Sequence, residues 1–202
     1  MLPTWTATLA FAAAAAVLTI TPGADTMLVL RTAIVSGRRP GVLAGLGVCS
    51  GLFFWGAAAG LGLTAVVLAS RVAYDALRVA GAAYLLYLAA AALRGTRDLD
   101  KEQAPAPGRP YVRGLLTNVL NPKVGAFYIT FLPQFIPRHS SVLVCSLLFA
   151  AVHAAEGVGW LSAVSLLSDR LAHVVRRRRV RRWLDRVTAA IFAGLAVRLA
   201  AT

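Results

Sequence analysis

Two short polar motifs interrupt long apolar stretches of this chain and hold most of its candidate chemistry. The first, "TPGAD", covers residues 21–25, and the second, "NPK", covers residues 121–123. Proline breaks a helix, and a charged side chain is costly in an apolar environment. Asp25 and Lys123 therefore predict one of three things: the two ends of a site for a small zwitterion, a coupling proton carrier, or a buried ion pair.

Both motifs predict a helix that ends and starts again inside an apolar segment. Thr and Asn are preferred N-cap residues, and proline is favoured at the position that follows the N-cap. The sequence therefore predicts Thr21 and Asn121 as caps of restarted helices. A restart leaves backbone N–H groups at a positive dipole end. Two such ends would form a central site for a polar, partly anionic solute.

The two motifs together supply the candidate substrate site. Its predicted residues are Thr21, Pro22, Gly23, Asp25, Asn121, Pro122 and Lys123. His153 and Glu156 are three residues apart and share a helix face, so with Asp25 they are candidates for proton coupling. A structural hydrogen-bonded pair is the alternative interpretation of His153 and Glu156. No cofactor, resident metal or catalytic residue is predicted.

The composition indicates which elements position these motifs. Of the 202 residues, 58% are hydrophobic and only 14% are charged, with a mean hydropathy of +0.70. These values are typical of a polytopic membrane protein, in which each spanning helix needs about 20 apolar residues. Six segments qualify: about Trp5–Val35, Gly41–Ser70, Val72–Leu93, Val112–Ile136, Ser141–Leu167 and Arg186–Ala201.

The basic residues predict how the chain crosses the membrane. Most of them follow the first, third and fifth spans, so the positive-inside rule places those loops in the cytoplasm and both termini outside. The net charge is +13. Its densest cluster, residues 176–182, predicts an anchor on anionic lipids rather than nucleic-acid binding, because no aromatic residue is interleaved with these arginines.

A polar, proline-rich linker divides the chain nearly in half. It covers residues 96–110, between a first three-helix unit at 1–95 and a second at 111–202. Because each half has an odd number of spans, the second enters the membrane from the opposite side. This pattern predicts an all-α membrane protein of two inverted repeats, with spans one and four broken at Pro22 and Pro122.

The sequence resembles the LysE/RhtB family of amino-acid exporters over nearly its whole length. The resemblance rests on "LTITPGADTMLVLRTAIVSGRRPGVLAGLGVCSG", "LRVAGAAYLLYLAAAALR" and "GLLTNVLNPKVGAFYITFLPQF". It departs from the usual Pro-Gly-Pro at Ala24. The resemblance implies a non-enzymatic, multi-pass protein of the bacterial inner membrane that exports amino acids by proton antiport. It also implies that the residues of the two motifs line the central pathway.

Two other function classes stay open from sequence alone. Cys49 and Cys145 lie in the second spans of the two halves, so they could form a transmembrane thiol relay. Asp25, His153 and Glu156 could supply ligands for export of a cation or metal. Both a monomer and a homo-oligomer are compatible with the sequence.

Overall fold

A computed structural model describes residues 3–69, 108–137 and 140–170, together with isolated positions between 72 and 93 and between 180 and 197. All regular structure among these residues is helical, as predicted. The α-helices are α1 (Trp5–Ile20), α2 (Ala24–Ser36), α3 (Arg38–Ala69), α4 (Pro110–Val119), α5 (Pro122–Ala126) and α6 (Val142–Leu166). A π-helical turn (Phe127–Phe131) and a 3₁₀ turn (Leu132–Phe135) follow α5.

The first predicted span is a pair of helices with a break between them. Helices α1 and α2 are bent by 50°. The prediction of Thr21 as the cap of the second helix is wrong. Thr21 ends α1 instead, because its N–H and its hydroxyl both donate to the Val17 carbonyl, at 3.1 and 2.6 Å. Gly23 is the N-cap of α2, so Pro22 lies in the link between the helices.

Helices α3 and α6 agree closely with the predicted second and fifth spans. Both are long and apolar enough to cross a membrane, and α1 with α2 could form a third, bent span. Gly37, at φ 98°, makes the turn from α2 into α3, a backbone conformation that favours glycine. The far end of α6 is held to the start of α3, where Ser165 Oγ donates to the Arg38 carbonyl at 2.8 Å.

The predicted fourth span is interrupted at the expected place. Helix α4 ends at Val119, and α5 begins at Pro122 with Asn121 as its N-cap. The chain then leaves α-helical geometry through the π and 3₁₀ turns before Ile136. This segment is therefore made of short pieces, where the sequence predicted one helix with a single break.

Several predictions fall outside the described residues or on isolated positions only. These are the third and sixth spans, at Val72–Leu93 and Arg186–Ala201, and nearly all of the arginine cluster at 176–182. Residues 96–107 of the predicted linker are also outside the described part. The two-repeat arrangement of the whole chain thus stays a prediction.

Helix α3 packs against α4 and α6 and holds the described bundle together. At the α3–α4 contact the backbones touch: a Cβ on Gly47 would overlap the Tyr111 carbonyl, and a Cβ on Gly114 would overlap the Ala44 carbonyl. Small residues at such crossings let membrane helices approach closely. The glycines of α3 therefore serve packing within the chain.

Buried aromatic rings join α1, the turns after α5, and α6. The ring of Phe11 stacks on that of Phe149 at 4.6 Å and lies 5.6 Å from those of Phe127 and Phe135. All four side chains are nearly inaccessible. Leu9, Leu61 and Leu120, in contrast, are more than half exposed. Apolar side chains on the outside and rings on the inside fit a protein surrounded by lipid.

Candidate functional site

The two helix breaks meet at a small cavity between α3 and α6. Its volume is about 40 Å³, which has room for a few water molecules but not for an amino acid. Of the predicted site residues, Thr21, Gly23, Asp25, Asn121, Lys123 and His153 line it. The two prolines and Glu156 do not. The cavity wall also includes Asn118, Cys49 and Gly157, which the sequence analysis did not predict as site residues.

Asp25, in the first turn of α2, is held by two amides from the other half of the chain. Asn118 Nδ2 and Asn121 Nδ2 donate to the same carboxylate oxygen, Oδ2, at 2.9 and 3.0 Å. The second oxygen, Oδ1, is buried and has no hydrogen-bond partner. A carboxylate in the first turn of a helix is also stabilised by the helix dipole. Asp25 thus presents one satisfied oxygen and one open acceptor.

Lys123 reaches across from α5 to the end of α1. Its ammonium donates to the carbonyls of Leu18 and Thr21, at 2.9 and 2.8 Å. The last carbonyls of a helix lack partners within the helix, and a cation there complements the negative dipole end. Lys123 therefore caps the broken helix α1, in addition to lining the cavity.

The two restarted helices have different N-termini. Asn121 caps α5 in the predicted way, because its Oδ1 accepts from the Lys123 backbone N–H at 3.0 Å. Gly23 provides no side chain to cap α2. The first N–H groups of α2 therefore rely on other partners than a capping side chain.

His153 and Glu156 have separate surroundings and do not form the structural pair considered from sequence. His153 Nδ1 is 3.2 Å from the Tyr128 hydroxyl, and the two rings stack at 5.8 Å. Glu156 Oε2 is buried and has no hydrogen-bond partner. His153 faces the cavity, whereas Glu156 lies on an adjacent face of α6.

The structure does not bring together the described residues that a thiol relay or a metal exporter would need. Cys49 faces Gly157, since a Cβ on that glycine would lie 3.0 Å from the Cys49 sulfur. Cys145 is twelve residues before Gly157 on α6, a distance of about 18 Å along a helix. The two thiols therefore cannot exchange directly. Within the described ranges, no three His, Cys, Asp or Glu side chains lie close enough to hold a metal ion.

Known proteins are similar to this chain over most of its length. A model of the family "LysE type translocator" matches residues 16–202. The chain belongs to this family. Its members are transporters, so the protein is a multi-pass bacterial membrane transporter and not an enzyme.

Individual relatives agree with this assignment. The uncharacterized membrane protein YrhP of Bacillus subtilis is 30% identical over 202 residues, covering 94% of this chain and 96% of the relative. The threonine efflux protein of Escherichia coli K12 is 27% identical, covering 89% and 90%. The uncharacterized membrane protein YahN of the same organism is 32% identical, covering 88% and 82%. No solved structure matches the chain.

Asn118 is the main site residue of this translocator that sequence reasoning missed. It is fully buried, it binds Asp25, and its carbonyl accepts from Trp55 Nε1 at 3.1 Å. The available signal was an amide three residues before the Asn-Pro-Lys motif, in an otherwise apolar stretch. Intramembrane polar residues usually face the bundle interior, so that signal could have been used.

Proposed function

We propose that this LysE type translocator exports amino acids or related small zwitterions by proton antiport. The observation that carries the proposal is the placement of Asp25 and Lys123 in one cavity, at two helix breaks. A zwitterion has one anionic and one cationic end, and this cavity offers a partner of opposite charge for each. A broken helix inside a membrane is tolerated where it lines such a cavity.

The ammonium end of the solute is assigned to Asp25. Its Oδ1 is a buried acceptor without a donor, while two asparagine amides hold the other oxygen in place. A buried acceptor without a partner costs roughly 1–3 kcal/mol. A primary ammonium would remove that cost by donating to Oδ1. The Asn118 and Asn121 amides orient the carboxylate for this contact.

The carboxylate end is assigned to Lys123 and to the uncapped start of α2. A Cβ on Gly23 would lie 3.6 Å from the Lys123 ammonium. Glycine at this position therefore leaves space beside the cation, and its φ of −151° does not itself require glycine. An arriving carboxylate competes with the Leu18 and Thr21 carbonyls for the ammonium. Substrate binding would thereby loosen the link between Lys123 and α1 and widen the cavity.

A proton gradient is the proposed energy source. The sequence has no phosphate-binding loop for a nucleotide. Ionisable side chains inside membrane helices commonly mark ion or proton pathways. We propose that one proton enters as one amino acid leaves.

The test is exchange transport by the purified protein in liposomes. L-Threonine is the first probe, because the Escherichia coli relative is named for its efflux. We expect exchange with labelled threonine, and no exchange with the matching 2-hydroxy acid or amino alcohol, each of which lacks one charged end. Equal exchange of all three compounds would contradict two-ended recognition. Failure of every amino acid tested would contradict the proposed export function.

The same proposal includes the six-span topology. Two inverted three-helix halves would bring the breaks near Pro22 and Pro122 together from opposite sides, with both termini outside. A reporter active only in the periplasm, fused after Thr202, should be active. Activity of a cytoplasmic reporter at that position would contradict the topology.

We also propose that the arginines at 176–182 bind anionic lipid headgroups. Basic clusters beside a membrane are attracted to such lipids by about 1 kcal/mol per residue. Reconstitution with and without anionic lipid should change exchange rates of the wild type more than those of a variant with alanines in the cluster.

A further inference from the structure

One side of α6 carries a polar pair that the substrate cavity does not use. The ring of Phe149 stacks on Phe11, so this side of α6 faces α1. Glu156 follows Phe149 by seven residues and Trp160 by eleven. At 100° per residue these positions return to nearly the same side of the helix. Glu156 and Trp160 therefore lie on the α1 side of α6, beside the cavity.

Helices α1 and α6 run in the same direction. Phe11, midway along α1, meets Phe149, and further along both helices Leu18 and His153 line the same cavity. On α1, Thr19 lies about two helical turns beyond Phe11, in the direction of the cavity. Glu156 is about two turns beyond Phe149. Thr19 and Glu156 are thus at a similar height in the bundle.

Three polar atoms in this region are buried and have no hydrogen-bond partner. They are Thr19 Oγ1, Glu156 Oε2 and Trp160 Nε1. Buried polar atoms are normally satisfied, and each exception calls for an explanation. A carboxylate in the middle of a membrane helix is costly as an ion, and one bound proton removes that charge.

The other ionisable groups near this part of α6 make the contacts described above or line the cavity. Helix α1 has no charged residue. His153 on α6 itself contacts Tyr128 of the π turn, and Cys49 is the titratable residue that α3 contributes to the described cavity wall. Asp25 accepts from the Asn118 and Asn121 amides, and Lys123 donates to the carbonyls at the end of α1. Among the described residues, two carboxyl groups lie outside that network: Asp169 is exposed and pairs with Arg38, whereas Glu156 has a buried oxygen without a partner.

We propose that Glu156 carries the coupling proton, at a site between α1 and α6 that borders the substrate cavity at Thr19 and does not use Asp25 or Lys123. This inference rests on the proposed function. The Glu156 carboxylate takes one proton from the outer side and releases the same proton to the cytoplasm. In the ionised form it accepts from the Trp160 N–H and the Thr19 hydroxyl, after a small movement of α1 against α6. The two forms thereby favour different packing of these helices.

The experiment separates exchange from net transport in liposomes, using labelled L-threonine. Glu156→Gln keeps the shape of the side chain and cannot release a proton. We expect it to retain exchange within about twofold of the wild type and to lose more than about tenfold of the transport driven by a pH gradient. A lumenal pH dye should report threonine-dependent proton movement for the wild type and none for this variant.

Further variants guard against a purely structural effect. Glu156→Asp keeps an ionisable group and should retain gradient-driven transport with a displaced pH profile. Trp160→Phe keeps the ring and should displace that profile in the wild-type background. The matched control is Asp169→Asn. Asp169 is an exposed carboxylate three residues after α6 that pairs with Arg38 at the surface, and its variant should behave as the wild type.

Two outcomes would overturn the inference while leaving amino-acid export intact. One is gradient-driven transport at the wild-type rate by Glu156→Gln. The other is equal loss of exchange and net transport in that variant, with normal insertion and a single species in size-exclusion chromatography. Absence of exchange by the wild type would instead overturn the proposed function, and this inference with it.

Discussion

The two helix breaks of this transporter differ in how their backbone groups are satisfied. The break after α4 is closed mainly by its own residues: Asn121 caps α5, and the Asn118 carbonyl accepts from the Asn121 N–H at 2.9 Å. Trp55 Nε1 of α3 is a second donor to that carbonyl. The break between α1 and α2 has a bare glycine at one end. At its other end, Lys123 binds the carbonyls of Leu18 and Thr21. The first break therefore depends on residues of the second.

Because of this asymmetry, the side chains that stabilise the first break are also those that we propose bind the substrate. Lys123 caps α1, and the amides of Asn118 and Asn121 hold Asp25 at the start of α2. A solute that competes for Lys123 or Asp25 must weaken the contacts that hold the first break in its present shape. Binding can then change the bend between α1 and α2. The second break would keep its shape while the bend between α1 and α2 changes.

The largest effect is expected when the cation that closes the first break is removed. Lys123→Met leaves two buried carbonyls without a partner, at about 1–3 kcal/mol each, and removes the proposed partner of the substrate carboxylate. We expect threonine exchange to fall by more than about 100-fold. Lys123→Arg keeps the charge and should retain partial activity. Wild-type exchange by Lys123→Met, at equal amounts in the membrane, would show that the capping contact has no role in transport.

Removing the anion at the start of α2 should have the next largest effect. Asp25→Asn loses the charge that we propose pairs with the substrate ammonium. If its carbonyl oxygen keeps the two asparagine donors, its NH₂ group replaces the open acceptor Oδ1 with a donor. A lost charged hydrogen bond is worth about 1.5–3 kcal/mol, so exchange should fall roughly 10- to 100-fold. Initial exchange rates over a range of threonine concentrations measure this. The result is contradicted if the concentration dependence is that of the wild type.

Substitution of Asn121 separates its two roles at the second break. Asn121→Ser keeps an oxygen that can cap α5 but removes the amide donor to Asp25, whereas Asn121→Ala removes both. The cap is worth about 1 kcal/mol. The thermal unfolding temperature should therefore fall more in Asn121→Ala than in Asn121→Ser. Both variants should lose exchange activity to a similar extent. Equal unfolding temperatures would show that the side-chain cap is dispensable.

A smaller effect, which depends on the size of the substrate, is expected at Gly157. This residue lines the cavity from α6 and belongs to neither helix break. Gly157→Ala places a methyl group 3.0 Å from the Cys49 sulfur, so the cavity becomes narrower. Exchange of larger amino acids should fall more than exchange of glycine or alanine, by about tenfold for the larger ones. Gly159→Ala, which has nothing within 4 Å, is the matched control. A uniform decrease for all substrates would argue against a role in size selection.

The smallest effect is expected at Thr21, although the residue lies in the first motif. Its hydroxyl donates to the Val17 carbonyl within α1, and Lys123 uses its backbone carbonyl. Thr21→Val keeps that carbonyl, so exchange should stay within about twofold of the wild type. A loss beyond tenfold would place the hydroxyl itself in the transport mechanism.

Local sequence signals predicted much of this fold. The apolar length of α3 and α6 and the proline at the start of α5 are properties of short stretches, and the bounds of both long helices agree with the structure. The prediction was wrong at Thr21 because a threonine hydroxyl can bond to the preceding turn as well as cap the following one. The Thr-Pro sequence is compatible with both hydrogen bonds, so it does not predict which one forms.

By itself, the sequence determined the helical membrane character, the positions of both interruptions and the charged residues beside them, since hydropathy, proline and capping act over a few neighbours. Only the tertiary structure decided that Lys123 binds the end of α1, that Asn118 holds Asp25, and that Glu156 lies apart from His153. These contacts join residues far apart in the chain, and their formation depends on how α1, α4 and α6 pack around α3. No local pattern specifies that packing, because the same side chains are compatible with several helix arrangements until the backbones are in contact.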